Sequence, residues 1–354
     1  MLRGTYQIGS VEAATVADPM DGKDRLQEAR PTLPERRHCI YYVVGFCAVQ
    51  VCVLALVFVL AATPWFLTHD AYPGMYQSGY SLRLEHVDCD VLIYGDSSSL
   101  TGLHPQVIEK ITGFKTCNIS EGTTIQDIVG SNFPLDSYLK HNRRPKYLLT
   151  MYTPSMFRPS IPAFTDYYPE GMLYLLQYDR NRANYRTLWH HKQWLLNFDF
   201  WVGRQLVQEL VGQLPGFRKH VVDARKQRAE HGGVWPYPLP AEDHCVRTAY
   251  HINPADVQYD AANVDEMRRT YGVDGTTVII NMAPVPDCDV TKDVYRTKSE
   301  GLHDNRFEVM PISEFNEGDV HFTPEGGTHI SVEAAHQILA LEQKKHNASA
   351  GASK

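Results

Sequence analysis

The chain has 354 residues, of which 43% are hydrophobic and 21% are charged, and its formal net charge is −7. This balance is typical of a globular protein with a buried core, and the length fits one large domain or two modest ones. The acidic excess excludes the strongly basic surface on which nucleic-acid binding depends.

The N-terminal region combines a mixed-charge segment with a long apolar run. Residues 1–38 hold six basic and six acidic side chains and several prolines, and predict a disordered cytoplasmic tail. Ile40 to Ala62 is a run of 23 uncharged residues, enough at about 1.5 Å per residue to cross a bilayer core of roughly 30 Å. Arg36 and Arg37 precede the run, so the positive-inside rule places the N-terminus in the cytoplasm. We therefore predict a single-pass anchor over residues 39–67, with the remaining chain extracytoplasmic, in a periplasm or at a cell surface.

Two alternative interpretations of the apolar run are a cleaved secretory signal and a buried core helix. The signal is disfavoured because the run exceeds the usual apolar core of about 7 to 15 residues. The core helix is disfavoured because 23 uninterrupted uncharged residues are too many for it. A retained anchor is therefore the preferred interpretation.

Seven cysteines are present, and four of them follow the anchor. An oxidising compartment permits disulfides, and Cys245 and Cys288 are the predicted pair because both lie in irregular segments that contain proline. Cys89 and Cys117 lie on predicted core strands and are interpreted as small apolar fillers. The absence of any disulfide is an equal alternative for an even count in a chain of this size.

After a linker over residues 68–87, short apolar runs alternate with helical patterns. The predicted strands are Val91–Tyr94, Phe114–Ile119, Tyr147–Tyr152 and Thr277–Met282, with a weak fifth at Phe307–Met310. The predicted helices are Pro105–Ile111, Ile125–Lys140 and Ile330–Leu341. This alternation predicts a three-layer α/β/α domain with a parallel, flavodoxin-like sheet over residues 88–342. A disordered polar tail is predicted over residues 343–354.

The alternation stops between residues 155 and 254, where aromatic and helical residues dominate. We predict that this segment, called the cap below, is an aromatic-rich helical insertion. Its stretch from Trp194 to Trp201 fits a sugar-stacking wall or a docking surface for a membrane partner. More often, such aromatic side chains simply pack an insertion onto its sheet.

Two short polar segments, far apart in the chain, supply a serine, a histidine and an acid. Ser97 follows the first predicted strand, and Asp319 and His321 precede the last predicted helix. A serine hydroxyl becomes nucleophilic when a histidine removes its proton, and an acid fixes the tautomer and orientation of that histidine. The crevice of a parallel sheet lies beyond the carboxyl ends of its strands, which is where Ser97 falls. We therefore predict a catalytic triad of Ser97, His321 and Asp319.

Taken singly, each segment has an ordinary structural explanation. A Gly-Asp-Ser turn after a strand is favoured by conformation alone, and an Asp-x-His sequence in a loop is more often surface decoration or half of a metal site. Their joint occurrence on a parallel-sheet pattern favours the triad. A metal site is the poorer interpretation because no third ligand lies at supporting spacing, and no metal or cofactor is predicted.

Two backbone N–H groups are predicted to bind the negative charge that develops on a substrate carbonyl oxygen. Ser97 lies just before a helix, where N–H groups lack acceptors, and Gly122 lets a substrate approach its N–H closely. Each such donor is worth roughly 3 kcal/mol in the transition state. The predicted oxyanion hole therefore consists of Ser97 and Gly122.

These segments resemble the conserved blocks of the SGNH, or GDSL, hydrolase superfamily. Residues 91–97 resemble the first block, with Ser97 as nucleophile, residues 118–122 the second, and residues 318–326 the last. A single residue between acid and histidine resembles the membrane-associated branch that includes alginate O-acetyltransferases. The third block, Gly-x-Asn-Asp, is missing, because residues 152–155 read Tyr-Thr-Pro-Ser. Asn281 is an alternative source of the side-chain donor that this block normally supplies.

A single anchor before an outward-facing domain also resembles the protein that transfers D-alanine to teichoic acids, which works with a multi-pass membrane acyltransferase. The resemblance implies a membrane-anchored serine esterase or O-acyltransferase acting on acyl, most readily acetyl, esters of an extracytoplasmic polysaccharide. One alternative, favoured by the missing third block, is a catalytically idle glycan-binding or scaffold partner of a membrane acyltransferase. Another, suggested by the anchor and the cap, is a membrane-proximal lipase or thioesterase.

Overall fold

The structure is a computed structural model. It describes residues 33–61, 84–120, 132–157, 230–234, 261–316 and 321–352, together with single residues at 80, 186, 189, 190, 200, 203, 204, 207, 211, 228, 241, 245 and 259. The chain divides into two compact units, Met1–Cys52 and Val53–Lys354. Most of the cap lies outside the described residues, so its predicted helical character stays a prediction.

The N-terminal helix, α1, extends over Leu33–Ala61 and is apolar on all sides. Its stretch Arg37–Val57 has 21 residues, a mean hydropathy of 2.3 and no buried residue. By length and composition this helix could cross a membrane, although a signal sequence would have the same properties. The orientation of the chain relative to a membrane stays a prediction.

The α/β region is built on four parallel strands. These are β1 (Val91–Gly95), β2 (Thr116–Asn118), β3 (Tyr147–Tyr152) and β4 (Thr277–Met282), in the order β2-β1-β3-β4. The predicted mixed α/β fold with a parallel sheet is confirmed, and the bounds of β3 and β4 are those that the apolar runs predict. Because β1 and β3 are central and buried on both faces, they consist of nearly continuous apolar residues.

Helices cover both faces of this sheet. The described helices after α1 are α2 (Ser97–Gly102), α3 (Pro105–Thr112), α4 (Phe133–His141), α5 (Ala261–Tyr271), α6 (Lys292–Lys298) and α7 (Pro324–Ala352), of which α6 packs beside Val285 and Val309 and not on this sheet. Alternate strand residues point to opposite faces, so Val91 and Ile93 pack with Ile338 of α7, whereas Leu92 and Tyr94 pack on the other side. That second core also contains Leu135 of α4 and Met267 of α5.

Helix α7 is longer than predicted at both ends. It begins at Pro324, and it continues to Ala352 through residues assigned above to a disordered tail. Glu342 accepts hydrogen bonds from Lys146 and Tyr147, and Lys345 donates to Thr277 Oγ1 at 2.9 Å. The additional turns therefore bind the first residues of β3 and β4, a long-range contact that no local pattern encodes.

The predicted fifth strand does not join the main sheet. Val309–Met310 (β6) instead pairs in parallel with Val285–Pro286 (β5) as a separate two-stranded sheet. The free edge of β4 is covered by side chains: Asp304 Oδ2 accepts from Ile280 N–H at 2.8 Å, and Asn305 Oδ1 accepts from Met282 N–H at 3.0 Å. Asn305 Nδ2 also donates to Met282 O at 2.9 Å, so two side chains replace a strand.

Two disulfides are present. Cys245 pairs with Cys288, as the sequence predicts, with the Cα atoms 5.9 Å apart. The interpretation of Cys89 and Cys117 as apolar fillers is wrong, because they form the second disulfide with Cα atoms 6.0 Å apart. Cys117 lies on β2 beside Leu92 of β1, and parallel pairing of these strands brings it within disulfide range of Cys89.

Candidate active site

Ser97 lies at the carboxyl end of the central strand β1. Every residue from 91 to 103 is fully buried except Ser97, which is half-buried. Its Oγ forms no hydrogen bond with the residues that the structure describes, and its N–H, at the first position of α2, has no acceptor within the helix. Ser97 is therefore the residue of this turn whose side chain is partly exposed.

Glycine is required immediately before this turn. A Cβ on Gly95 would lie 2.0 Å from Met151 O and 2.8 Å from Ser99 Cβ. The end of β1 can therefore lie against both β3 and α2 only if residue 95 has no side chain. This close approach gives the glycine of the Gly-Asp-Ser sequence a structural reason.

Asp96 anchors the turn that presents Ser97. It is the N-cap of α2, and its Oδ1 accepts from Ser98 N–H at 2.9 Å and from Ser98 Oγ at 2.5 Å. Its Oδ2 accepts from Thr153 N–H at 2.8 Å and from Thr153 Oγ1 at 3.0 Å. The buried carboxylate thus ties α2 to the end of β3. Thr153 was not predicted as a site residue, although it stands where the third block is missing.

The segment after β2 packs on α2 through buried polar groups. Asn118 Nδ2 donates to Ser99 O at 3.0 Å and to Leu103 O at 2.9 Å, while its Oδ1 accepts from Ser120 N–H at 2.8 Å. The hydroxyls of Ser99 and Ser120 lie 2.7 Å apart. Gly122, the predicted second oxyanion donor, lies outside the described residues.

His321 begins a short strand that contacts the helix of Ser97. Strand β8 (His321–Phe322) pairs antiparallel with β7 (Phe315–Asn316), and Asn316 Nδ2 donates to Phe322 O at 3.2 Å. His321 is half-buried, with its Nδ1 atom fully buried. Helix α2 packs on β8, and a Cβ on Gly102 would lie 2.6 Å from the Phe322 ring. The elements that carry Ser97 and His321 are therefore packed together, whereas Asp319 lies outside the described residues.

A second histidine, His329 in α7, links this hairpin to its surroundings. Its Nδ1 lies 3.1 Å from Glu314 Oε2, and its Nε2 lies 3.3 Å from Glu308 Oε1. The hydrogen bond to Glu314 raises the pKa of His329, with further contributions from the charges of Glu308 and Glu333. Glu314 precedes β7 and Thr323 follows β8, and Glu314 O accepts from Thr323 N–H at 3.0 Å. His329 therefore contacts the residue at which the pair of strands with His321 begins.

A half-buried histidine, His104, joins α2 and α3 to the first turns of α7. The backbone N–H of His104 donates to Ser331 Oγ at 2.7 Å, and the Ser331 hydroxyl donates to Gly327 O at 2.6 Å. A Cβ on Gly327 would lie 2.4 Å from His104 Nε2, so the two elements are in tight contact. Burial lowers the pKa of His104, which favours a neutral, structural side chain.

Asn281 is engaged elsewhere. It exchanges amide hydrogen bonds with Gln337 of α7, at 2.9 Å and 3.2 Å. Both side chains line a polar cavity of about 670 Å³ beside β4, whose walls also include Arg306 and Glu308. Asn281 is therefore part of the β4 and α7 contact.

Among the described residues, no group of three His, Cys, Asp or Glu side chains could hold a metal ion. Comparisons with protein-family models, with curated proteins and with solved structures found no significant match to this chain. A function must therefore be argued from the placement of the candidate residues.

Proposed function

We propose that this protein is a serine esterase or O-acyltransferase that acts on acyl esters, chiefly acetyl esters, of a glycan outside the cytoplasm. One observation carries the proposal: Ser97 is the sole incompletely buried residue between positions 91 and 103, and its helix packs on the strand that begins with His321. A serine that served only packing would be expected to share the burial of its neighbours.

In the proposed reaction, Ser97 Oγ attacks the ester carbonyl carbon while His321 accepts the hydroxyl proton. The bond between that carbon and the ester oxygen then breaks, and His321 returns the proton to the departing alcohol. An acyl group remains on Ser97 until water or a sugar hydroxyl attacks it, with His321 again as base. Asp319 would orient the imidazole and stabilise its charged form.

The predicted oxyanion donors are the N–H groups of Ser97 and Gly122. Asp96 supports the first donor, because its four hydrogen bonds hold the turn in which Ser97 N–H points away from the helix. Donors that are fixed before the substrate arrives stabilise the developing charge without reorganisation. The lack of the usual third block would leave the hole with two donors.

The apolar helix α1 is suited to hold this domain at a membrane, with the N-terminus in the cytoplasm. Substrates would then be extracytoplasmic glycans, and a multi-pass membrane acyltransferase would be a suitable acyl donor. Acceptance of the acyl group by a sugar hydroxyl makes the protein a transferase, and acceptance by water makes it an esterase.

The test is covalent labelling and turnover by the full-length protein in detergent. The wild type should hydrolyse 4-nitrophenyl acetate and react with a fluorophosphonate, and S97A should lose both activities by at least 100-fold. S349A is the matched control, since it removes an exposed serine hydroxyl near the end of α7 and leaves the nucleophile and its turn intact. Equal labelling of wild type and S97A would refute the proposal, and an idle scaffold would show no acyl group on Ser97 by mass spectrometry.

A further inference from the structure

Arg228 is the largest fully buried side chain among the described residues. It belongs to the cap, and its Nε donates to Gly233 O at 3.0 Å while its Nη2 donates to Ser120 O at 3.0 Å. The guanidinium carbon lies 4.3 Å from the ring centre of Tyr80. A buried guanidinium is costly unless such partners satisfy it, so its place beside Ser120 requires an explanation.

The partner of Arg228 is the first residue of the segment that leads to Gly122. Ser120 contacts Ser99 of α2 through its hydroxyl and Asn118 through its N–H. Ser99, Asn118, Ser120 and Arg228 each have no exposed surface. A continuous buried polar network therefore connects the cap to the helix that begins at Ser97.

The chain around Arg228 is docked against the end of β2. Gly232 O accepts from Asn118 N–H at 3.0 Å, so the turn at residues 231–233 covers the edge of β2 at this residue. A Cβ on Gly233 would lie 1.9 Å from Asn118 O, and Gly233 adopts φ of 104°, which favours glycine. The guanidinium is thus held on one side by its own segment and bonds the carbonyl of Ser120 on the other.

We propose that Arg228 is a positioning residue for the candidate active site: it fixes the Ser120 carbonyl and, through the contact between Ser120 and Ser99, the helix that begins at Ser97. The inference rests on the proposed function and deepens it, since it assigns the cap a role in holding the helix that carries the nucleophile. A planar guanidinium with several donors can bond both carbonyls at once, whereas a lysine ammonium lacks this fork geometry.

The experiment compares R228Q and R228K with wild type in the full-length protein. The readouts are kcat and KM for 4-nitrophenyl acetate, and amide hydrogen exchange of peptides that cover residues 116–122. R269Q is the matched control, because Arg269 is 73% exposed and its partner among the described residues is Glu266 of its own helix. We expect R228Q to lower kcat at least tenfold with KM within twofold, to accelerate exchange in this segment, and to leave exchange in β3 unchanged. R228K should be intermediate.

A folded R228Q with wild-type kcat would overturn the inference. So would a uniform acceleration of exchange in all strands, since that is the signature of lost global stability. Should R228Q not fold, R228K decides by the same measurements, because it retains the charge. An inactive wild type would refute the proposed function. Amide hydrogen exchange of residues 116–122 in the variants would then decide by itself whether Arg228 holds Ser120.

Discussion

The carboxylate of Asp96 offers the sharpest test of how the structure holds Ser97. In D96N the shape is retained, but an amide has one acceptor oxygen where the carboxylate has two. The NH2 group must then face either the donors of Ser98 or those of Thr153. Both hydrogen bonds to the carboxylate on that side are lost: the backbone N–H keeps no acceptor, whereas the hydroxyl can rotate and accept from the new amide.

The size of the effect follows from these contacts. A hydrogen bond to a charged group contributes about 1.5 to 3 kcal/mol, so the loss of two, offset in part by the new bond to the hydroxyl, should lower the free energy of unfolding by about 2 to 4 kcal/mol. For a domain of this size that corresponds to a fall in Tm of roughly 10 °C. Because the lost bonds connect α2 to the end of β3, fluorophosphonate labelling of Ser97 should also slow.

Urea unfolding followed by circular dichroism measures the stability, and a fluorescent fluorophosphonate measures the labelling rate. D293N is the control: Asp293 is 76% exposed and, within the part of the chain that the structure describes, its side chain pairs with Arg296, so its replacement should change stability by less than about 0.5 kcal/mol. A fall of less than about 1 kcal/mol in D96N would refute the view that this carboxylate holds the turn.

Two further predictions concern the strand end and the histidine of α7. In G95A the new methyl would meet Met151 O, and separating β1 from β3 should cost about 3 kcal/mol or more in thermal unfolding. In G203A the new methyl has open space around it and lies on a helix, where alanine is favoured over glycine by about 1 kcal/mol, so this variant should be neutral or more stable. Equal stability of the two variants would contradict the close approach. His329 has a raised folded pKa, so its stabilisation is fully present below about pH 6.5 and is lost as pH rises through that raised value. Because His329 is 42% exposed, the difference in unfolding free energy between wild type and H329Q should be at most about 1 kcal/mol at pH 5.5 and should vanish by pH 9. A pH-independent difference would contradict this assignment.

The strands could be predicted because a strand that is buried on both faces consists of a nearly continuous apolar run. Tyr147–Tyr152 and Thr277–Met282 are short apolar runs bounded by polar residues, and both became strands with those bounds. Helix α3 likewise ends at Gly113, whose φ of 74° is the left-handed stop that the glycine predicts. Apolar runs and helix-terminating glycines are local properties, so they can be recognised in a single sequence.

Contacts between distant segments could not be predicted in this way. The pairing of Cys89 with Cys117 depends on which strands become neighbours, and the apolar surroundings of both suggested fillers. Val309–Met310 has the composition of a strand, yet the edge of β4 was already occupied by Asp304 and Asn305. Thr153 and Arg228 carry no motif, because their roles arise from one carboxylate and one carbonyl that folding brings to them.

The covered edges of the sheet also determine how copies of this chain can meet. At Ile280 and Met282, Asp304 and Asn305 already occupy the groups that an added strand would use, and at the opposite edge Asn118 N–H donates to Gly232. A neighbouring molecule therefore finds no free hydrogen-bonding ladder at these positions. Strand pairing between two copies of this chain is blocked there by the side chains of Asp304 and Asn305 and by the backbone of Gly232. The fold achieves this without a closed barrel or additional strands.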